Sequence, residues 1–221
     1  MAQKHALIAG ATGLVGNELL QQLIRGRQYH TISILSRHEV ETTSKRVETI
    51  IVDYNALNDE QIPKVDDVFC CLGTTMNKAG SKGAFRKVDH DYPLRVAEIT
   101  QRKGAQQYLL VSAMGADVNS YMFYSRVKGE VEQAIAKVGF EALHVFRPSM
   151  LLGERTETRI GEQIGQVVMQ GVAPLMLGGL KKYQAIPAEM VAEAMVHVAR
   201  KELSGVYIYE SDKIRALAKH I

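Results

Sequence analysis

The chain has 221 residues, of which 46% are hydrophobic and 23% are charged, and its formal net charge is +3 at pH 7. This composition excludes a mainly disordered chain, and the length predicts one globular domain spanning residues 1–221. A charge that is so small and evenly spread also argues against a nucleic-acid partner.

The cysteines and the amino terminus bear on the cellular compartment. Cys70 and Cys71 are adjacent and cannot link distant segments, which fits a reducing compartment. The apolar part of residues 1–9 is too short for a signal peptide. We therefore expect a cytoplasmic protein. The histidines show no metal-ligand spacing, so we expect no metal site.

Apolar, β-rich runs alternate with helical patterns along most of the chain. This alternation predicts an α/β fold, a Rossmann-type doubly wound parallel sheet with helices on both faces. We expect the strand order 3-2-1-4-5-6-7, with a ligand across the carboxyl ends of the strands. Residues 148–221 are expected to add a small substrate-covering portion. The predicted strands are His5–Ala9, Thr31–Leu35, Thr49–Val52, Val68–Leu72, Tyr108–Val111, Ala142–Phe146 and Val206–Tyr209.

A glycine motif, Gly10-Ala11-Thr12-Gly13-Leu14-Val15-Gly16, follows the first predicted strand. Glycines at this spacing, between a strand and a helix, present bare backbone amides and a positive helix terminus to a phosphate group. The alternative is a tight turn without a ligand. We predict that the pyrophosphate of a dinucleotide is bound by Gly10, Thr12, Gly13, Leu14, Val15 and Gly16.

The second predicted strand ends in Ser36-Arg37-His38, without the carboxylate that would bind the adenosine ribose of NAD. Arg37 can pair instead with the 2′-phosphate of NADP, so we predict that NADP is preferred over NAD. The alternative for Arg37 is a solvated surface arginine. Asp53, which ends the third strand, is predicted as an adenine-side contact, with a turn residue as the alternative.

Tyr124 and Lys128 lie four residues apart on the helix with the clearest apolar stripe, so both face one side. An ammonium beside a phenol favours the phenolate, which makes the pair a candidate acid–base unit. Ser112, at the end of the fifth strand, is a candidate to hold a substrate oxygen by a hydrogen bond, with a helix or turn cap as the alternative. Tyr209 and Lys213 share the spacing, but they straddle a strand end and a turn, and we predict no catalytic role for them.

Gln163–Leu180 is the longest uncharged stretch of the chain. Its length approaches that of a membrane helix, but its glutamines, its glycines and Pro174 argue against a membrane span. We expect instead a mobile flap over the substrate or a contact with a second copy of the chain in a homodimer.

The glycine motif, Ser112 and Tyr124-x-x-x-Lys128 together resemble the short-chain dehydrogenase/reductase superfamily, in its atypical, extended-like branch. This resemblance covers about residues 5–190. It implies a Rossmann fold, NADPH binding and catalytic roles for Ser112, Tyr124 and Lys128. It also implies that Leu72, Gly73, Thr74 and the segment Pro148–Met150 line the cofactor cleft. Further segments are similar to the Tat-interacting-protein oxidoreductase group of that branch, namely Phe69–Thr75, Val88–Tyr92, Gly115–Asp117, Val127–Glu132 and Phe146–Pro148.

We therefore predict an NADP-dependent oxidoreductase that transfers a hydride between nicotinamide and a carbonyl or secondary alcohol. One alternative is a catalytically weak regulatory protein that senses a dinucleotide. Another is a nucleotide-sugar epimerase-like enzyme, although the tail is shorter than in that class. The superfamily often adds an asparagine to its proton relay; the nearby residue here is Asp89, and we assign no fourth catalytic residue.

Overall fold

The computed structural model describes residues 4–153 and 183–219, which contain seven strands of four to eight residues and two strands of two residues. They are β1 (Lys4–Ala9), β2 (Tyr29–Ser36), β3 (Val47–Ile51), β4 (Asp67–Cys70), β5 (Gln107–Val111), β6 (Ala142–Arg147), β7 (Leu151–Leu152), β8 (Ile186–Pro187) and β9 (Gly205–Glu210). The seven longer strands form one parallel sheet in the order β3-β2-β1-β4-β5-β6-β9. The predicted fold and strand order are therefore confirmed. The pair β7 and β8 forms a second, small parallel sheet.

Helices fill the connections between strands. The described helices are α1 (Leu14–Arg25), α2 (Met76–Ala79), α3 (Lys82–Arg86), α4 (Tyr92–Arg102), α5 (Phe123–Ala136), α6 (Ala188–Ala199) and α7 (Ser211–Ala218). A short 3₁₀ helix spans Asp59–Gln61, and a π-helical turn, Lys87–Asp91, joins α3 to α4.

Both faces of the sheet are covered, as β1 shows. Ala6 and Ile8 pack on one face, Leu7 and Ala9 pack on the other, and all four are fully buried. A strand buried on both sides is a continuous apolar run, which is typical of parallel sheets. Helices α1, α6 and α7 cover the first face, and α4 and α5 cover the second.

The fourth strand is shorter than predicted, because it ends at Cys70 rather than Leu72. Cys71 still donates its backbone N–H to the Ala9 carbonyl at 2.8 Å. Beyond that bond β1 turns away at Gly10, which has a φ of +90°. Leu72 therefore leaves the sheet, and its neighbours form a loop at the carboxyl edge.

Within the described ranges, no helix combines the length and the apolar character needed to cross a bilayer. Gln163–Leu180 lies outside the described residues, so the expected flap or subunit contact stays a prediction. The described parts of 148–221 contribute β9 to the main sheet and β7 and β8 beside its carboxyl edge.

Candidate functional site

Two of the three motif glycines are required by the backbone packing of their own loop. A side chain at Gly10, where φ is +90°, would place its Cβ 2.7 Å from the backbone of Cys71. A Cβ on Gly16 would lie 2.1 Å from the carbonyl oxygen of Gly10. Both distances are far below van der Waals contact. These glycines therefore allow the loop and α1 to pack closely, whether or not a ligand is bound.

Gly13 differs from the other two, because a Cβ there would meet no protein atom closer than 3.4 Å. It precedes Leu14, the first residue of α1, and no described side chain caps the helix there. Gly13, Leu14 and Val15 line a cleft, so the first amides of α1 lie where an anion would be stabilised. The packing of the protein therefore does not require a glycine at this position.

The cleft has a volume of about 1120 Å³ and lies at the carboxyl ends of β1, β4 and β5. Leu151–Gly153 and Pro187–Glu189, from the segment predicted to cover the substrate, also line it. The predicted phosphate loop and the predicted acid–base pair thus face one cavity, as a dinucleotide spanning both would require. The predicted site residues that line it are Thr12, Gly13, Leu14, Val15, Leu72, Gly73, Thr74, Ser112, Tyr124 and Lys128.

Seven predicted residues are outside the cleft lining: Gly10, Gly16, Arg37, Asp53, Pro148, Ser149 and Met150. Arg37 is exposed directly after β2. The carboxylate of Asp53 accepts hydrogen bonds from the backbone and side-chain nitrogens of Asn55, at 2.9 and 3.0 Å, which is the geometry of a turn. The carbonyl of Pro148 accepts the N–H of Met114 at 2.9 Å. The ligand contacts assigned to Arg37, Asp53 and Pro148 stay predictions.

Tyr124 and Lys128 lie one turn apart on α5, and both reach the cleft. Tyr124 is 37% exposed, whereas Lys128 is only 5% exposed. Burial, the largest single influence, would lower the pKa of Lys128, but the charge and hydrogen bond of Asp89, together with smaller contributions from Tyr124 and Cys70, outweigh it, and the pKa is raised. The site therefore holds a buried cation beside an exposed phenol.

A π-helical turn brings Asp89 to this cation. In that turn, the N–H of Tyr92 bonds to the carbonyl of Lys87, five residues earlier. Pro93 has no N–H to donate to the carbonyl of Asp89, so the regular α-helical hydrogen bonding is interrupted at this point. The wider turn leaves Asp89 facing the interior, where it is 1% exposed.

Asp89 makes two contacts in the cleft wall. Its Oδ1 lies 2.8 Å from Nζ of Lys128, and its Oδ2 accepts the backbone N–H of Thr74 at 2.8 Å. A Cβ on Gly73 would lie 3.4 Å from Oδ1 of Asp89, so the glycine leaves room for the ion pair. Asp89 lines the cleft, although its sequence position predicted no role for it; Pro93 inside a helical pattern signals only that the helix is interrupted nearby.

Ser112 follows β5 and donates its hydroxyl hydrogen to Glu132, a buried residue one turn beyond Lys128 on α5. Nε of Arg147 donates to both carboxylate oxygens of Glu132, at 3.1 and 3.2 Å. A carboxylate paired in this way only accepts hydrogen bonds, so the Ser112 hydroxyl hydrogen is engaged by Glu132 and its oxygen can serve only as an acceptor. To donate to a substrate oxygen, as predicted, the hydroxyl must rotate away from Glu132.

The second tyrosine–lysine pair lies elsewhere. Neither Tyr209 nor Lys213 is among the described residues that line the cleft. The hydroxyl of Tyr209 lies 3.1 Å from Nδ1 of His144, and the two rings stack with their centroids 6.0 Å apart. Tyr209 therefore belongs to an aromatic stack on the sheet.

A glycine loop that leads from β1 into α1, below a cleft at the carboxyl edge of a doubly wound sheet, defines a Rossmann-type dinucleotide-binding protein. Comparison of sequences makes the assignment specific. A family described as NAD(P)H-binding matches residues 10–202, and the chain belongs to this family.

Two proteins of known name are similar in sequence to most of this chain. The chain is 35% identical to protein HTATIP2 of Rattus norvegicus over 203 residues, which is 89% of this chain and 81% of the relative. It is 33% identical to protein FMP52, mitochondrial, of Eremothecium gossypii over 223 residues, or 97% of both chains. The predicted resemblance to the Tat-interacting-protein group is confirmed by the first of these matches.

Solved structures share the fold at low identity. The Bordetella bronchiseptica enzyme WbmH, solved with NAD+, is 12% identical with a TM-score of 0.69, covering 99% of this chain and 80% of that chain. The human epimerase family protein SDR39U1, solved with NADPH, is 17% identical with a TM-score of 0.59, covering 93% of this chain and 74% of that chain. Proteins of this fold thus bind either dinucleotide.

The relatives also correct the predicted compartment. Four fungal relatives, from Eremothecium gossypii, Emericella nidulans, Aspergillus niger and Candida albicans, are 30 to 33% identical and are named mitochondrial. The prediction of a cytoplasmic location is therefore wrong. It depended on the lack of an apolar leader, but mitochondrial targeting segments are amphipathic rather than apolar, so that observation could not exclude one.

Proposed function

We propose that the protein is an NADP-dependent oxidoreductase that moves a hydride between nicotinamide and a carbonyl or secondary alcohol. The observation that carries this proposal is that Tyr124, Lys128 and the loop Thr12–Val15 line one cleft. When bound, the dinucleotide supplies or accepts the hydride. The substrate is a small molecule whose reacting oxygen lies beside the Tyr124 hydroxyl.

The chain's first task is to hold the dinucleotide. The amides at the start of α1 bind the pyrophosphate, because no described side chain caps them and Gly13 leaves the approach open. Lys128 donates hydrogen bonds to the nicotinamide ribose. Arg37 pairs with the 2′-phosphate of NADP. Since relatives of this fold were solved with NAD+ or NADPH, the NADP preference depends on Arg37 and on the absence of a carboxylate beside it.

The second task is proton transfer. Tyr124 gives a proton to the substrate oxygen when a carbonyl is reduced and takes one when an alcohol is oxidised. Lys128 supplies a positive charge that stabilises the phenolate. Ser112 lines the same cleft and orients the substrate oxygen once its hydroxyl turns from Glu132.

The test of this function is Tyr124→Phe, which removes one oxygen atom. Consumption of NADPH is followed with a panel of aldehydes, ketones and quinones. Turnover should fall by about 10²-fold or more with little change in NADPH affinity, because general acid–base catalysis contributes roughly that factor. Lys128→Ala should lower both turnover and affinity, since Lys128 also binds the ribose.

Tyr209→Phe is the matched control, because it removes the same atom from a tyrosine outside the cleft. It should change neither turnover nor affinity. If Tyr124→Phe turns a substrate over at the unmodified rate, Tyr124 is not the proton donor.

A second candidate is a regulatory protein that binds a dinucleotide and turns it over slowly or not at all. The hydrogen bond from Ser112 to Glu132 favours it, because a hydroxyl held in this way does not donate to a carbonyl oxygen. The same panel separates the two candidates. A regulatory protein of this kind would bind NADPH and oxidise it with none of the compounds.

A further inference from the structure

The ion pair between Asp89 and Lys128 is almost wholly removed from water, with the two residues 1% and 5% exposed. A charge in such a place is unfavourable unless its partner is present, and loss of one partner leaves the other uncompensated. The partners come from different elements, the π-helical turn and α5. The pair therefore fixes the ammonium in space as well as balancing its charge.

Three titratable groups of the described residues act on the Lys128 ammonium. Asp89 reaches it from the π-helical turn, Tyr124 from α5, and Cys70 from β4. Burial raises the pKa of Cys70, so the thiol is neutral near pH 7. Tyr124 is neutral in the form that donates a proton. Asp89 is therefore the counter-charge of Lys128.

We propose that Asp89 is a positioning residue that keeps Lys128 protonated and aimed at the dinucleotide, so that the pair, rather than Lys128 alone, forms the ribose-binding unit. The proposal rests on the proposed function only for the contact between Lys128 and the ribose. Without Asp89 the ammonium is a buried, uncompensated cation, and lysines in that situation release their protons several pH units below the usual value. A neutral amine donates a hydrogen bond about half as strong as a charged one.

The test is Asp89→Asn, which keeps the size of the side chain and its acceptor for Thr74. The dissociation constant of NADPH is measured by nicotinamide fluorescence from about pH 6 to about pH 9. Dividing the variant's constant by that of the unmodified protein at each pH cancels the titration of the ligand itself. This ratio should rise about three- to tenfold across the range, as Lys128 loses its proton and its hydrogen bond to the ribose loses about half its strength. A ratio that stays constant with pH overturns the proposal, because a merely structural role weakens binding equally at every pH.

Asp91→Asn is the matched control, since Asp91 is an exposed carboxylate on the same turn. Its ratio should stay near one at every pH. If Asp89→Asn does not fold, the double variant with Lys128→Met removes the uncompensated charge and should fold, with weak binding whose ratio does not depend on pH. Failure of the double variant to fold overturns the proposal, because Asp89 then serves something other than Lys128.

The measurement separates this proposal from the proposed function, because it needs NADPH binding but no substrate. If the protein binds NADPH but reduces no compound, the proposed oxidoreductase function is contradicted. The pH dependence of the ratio of dissociation constants would still decide the role of Asp89.

Discussion

Replacing Gly16 with alanine should destabilise the fold. The added Cβ would lie 2.1 Å from the oxygen of Gly10, 2.8 Å from its carbonyl carbon and 2.9 Å from Cα of Ala11. All three are backbone atoms where β1 leads into α1, so none can rotate away. Overpacking of this kind costs about 3 kcal/mol at the upper end of its usual range. For a domain of this size, each kcal/mol lowers Tm by about 2–4 °C, so we expect a fall of roughly 6–12 °C.

Gly13→Ala should instead weaken dinucleotide binding in a protein that remains stable. The nearest protein atom to the new Cβ is 3.4 Å away, and the φ of −81° at Gly13 suits alanine. Loss of a glycine at the start of a helix costs at most about 1 kcal/mol, or about 4 °C in Tm. The methyl group stands in the cleft where the pyrophosphate approaches α1. We therefore expect NADPH affinity to fall by about tenfold or more.

Thermal unfolding of the unliganded variants measures the first effect, and titration of nicotinamide fluorescence measures the second. Gly83→Ala, on α3, is the control, because a Cβ there meets nothing within 4 Å and alanine suits a helix better than glycine, so neither Tm nor NADPH affinity should fall. Equal losses of Tm at Gly13 and Gly16 would refute the reasoning. So would a Gly13→Ala variant that binds NADPH with unmodified affinity.

Two further predictions concern charge. Arg37→Ala should weaken NADPH binding by about 1.5–3 kcal/mol, or roughly tenfold to a hundredfold, and should leave NADH binding almost unaffected. Equal losses of affinity for both dinucleotides would contradict the 2′-phosphate contact. So would a similar loss of NADPH affinity in Arg27→Ala, a control at another exposed arginine. Burial lowers the pKa of His144 to about 4. As pH falls, this histidine is therefore protonated in the unfolded chain before it is protonated in the folded protein. The free energy of unfolding should consequently decrease as pH falls from about 6.5 to about 4. His144→Phe keeps an aromatic ring against Tyr207 but removes the titrating group. Denaturant unfolding of this variant at several pH values should show a smaller decrease in the free energy of unfolding. An unchanged decrease would mean that other groups cause the effect.

Much of the fold could be predicted because the local patterns and the sheet rules agree. Most strands of the sheet are short apolar runs, and right-handed crossovers between parallel strands leave few strand orders open. The glycine loop was predictable for the same reason, since Gly10 and Gly16 allow the backbone to pack closely and Gly13 leaves the start of α1 open within one continuous motif. The roles of Arg37 and Asp53 were harder to predict, because a residue at a strand end can contact a ligand, lie in solvent or take part in a turn. Asp53 takes part in a turn.

Asp89 could not be placed from periodicity, because it lies where the helical period changes. Regular α-helical spacing through Lys87–Arg102 would put each side chain at a fixed angle, but the π-helical turn shifts Asp89 relative to α4. Pro93 indicates that some interruption occurs, yet it does not say which side chain turns inward. The partner, Lys128, lies on another helix and becomes apparent only when both are assembled.

Glu132 is a different case, because the sequence contained enough to find it. Tyr124, Lys128 and Glu132 follow one another at four-residue spacing, so a regular helix places all three on one face. A carboxylate on a face that packs against the sheet needs a buried partner. Ser112 directly follows β5 and Arg147 ends β6, and these strands were predicted to be neighbours, so both residues were expected at the same edge of the sheet. The network that holds the Ser112 hydroxyl therefore follows from spacing and strand order together, and it leaves the Ser112 oxygen as a hydrogen-bond acceptor.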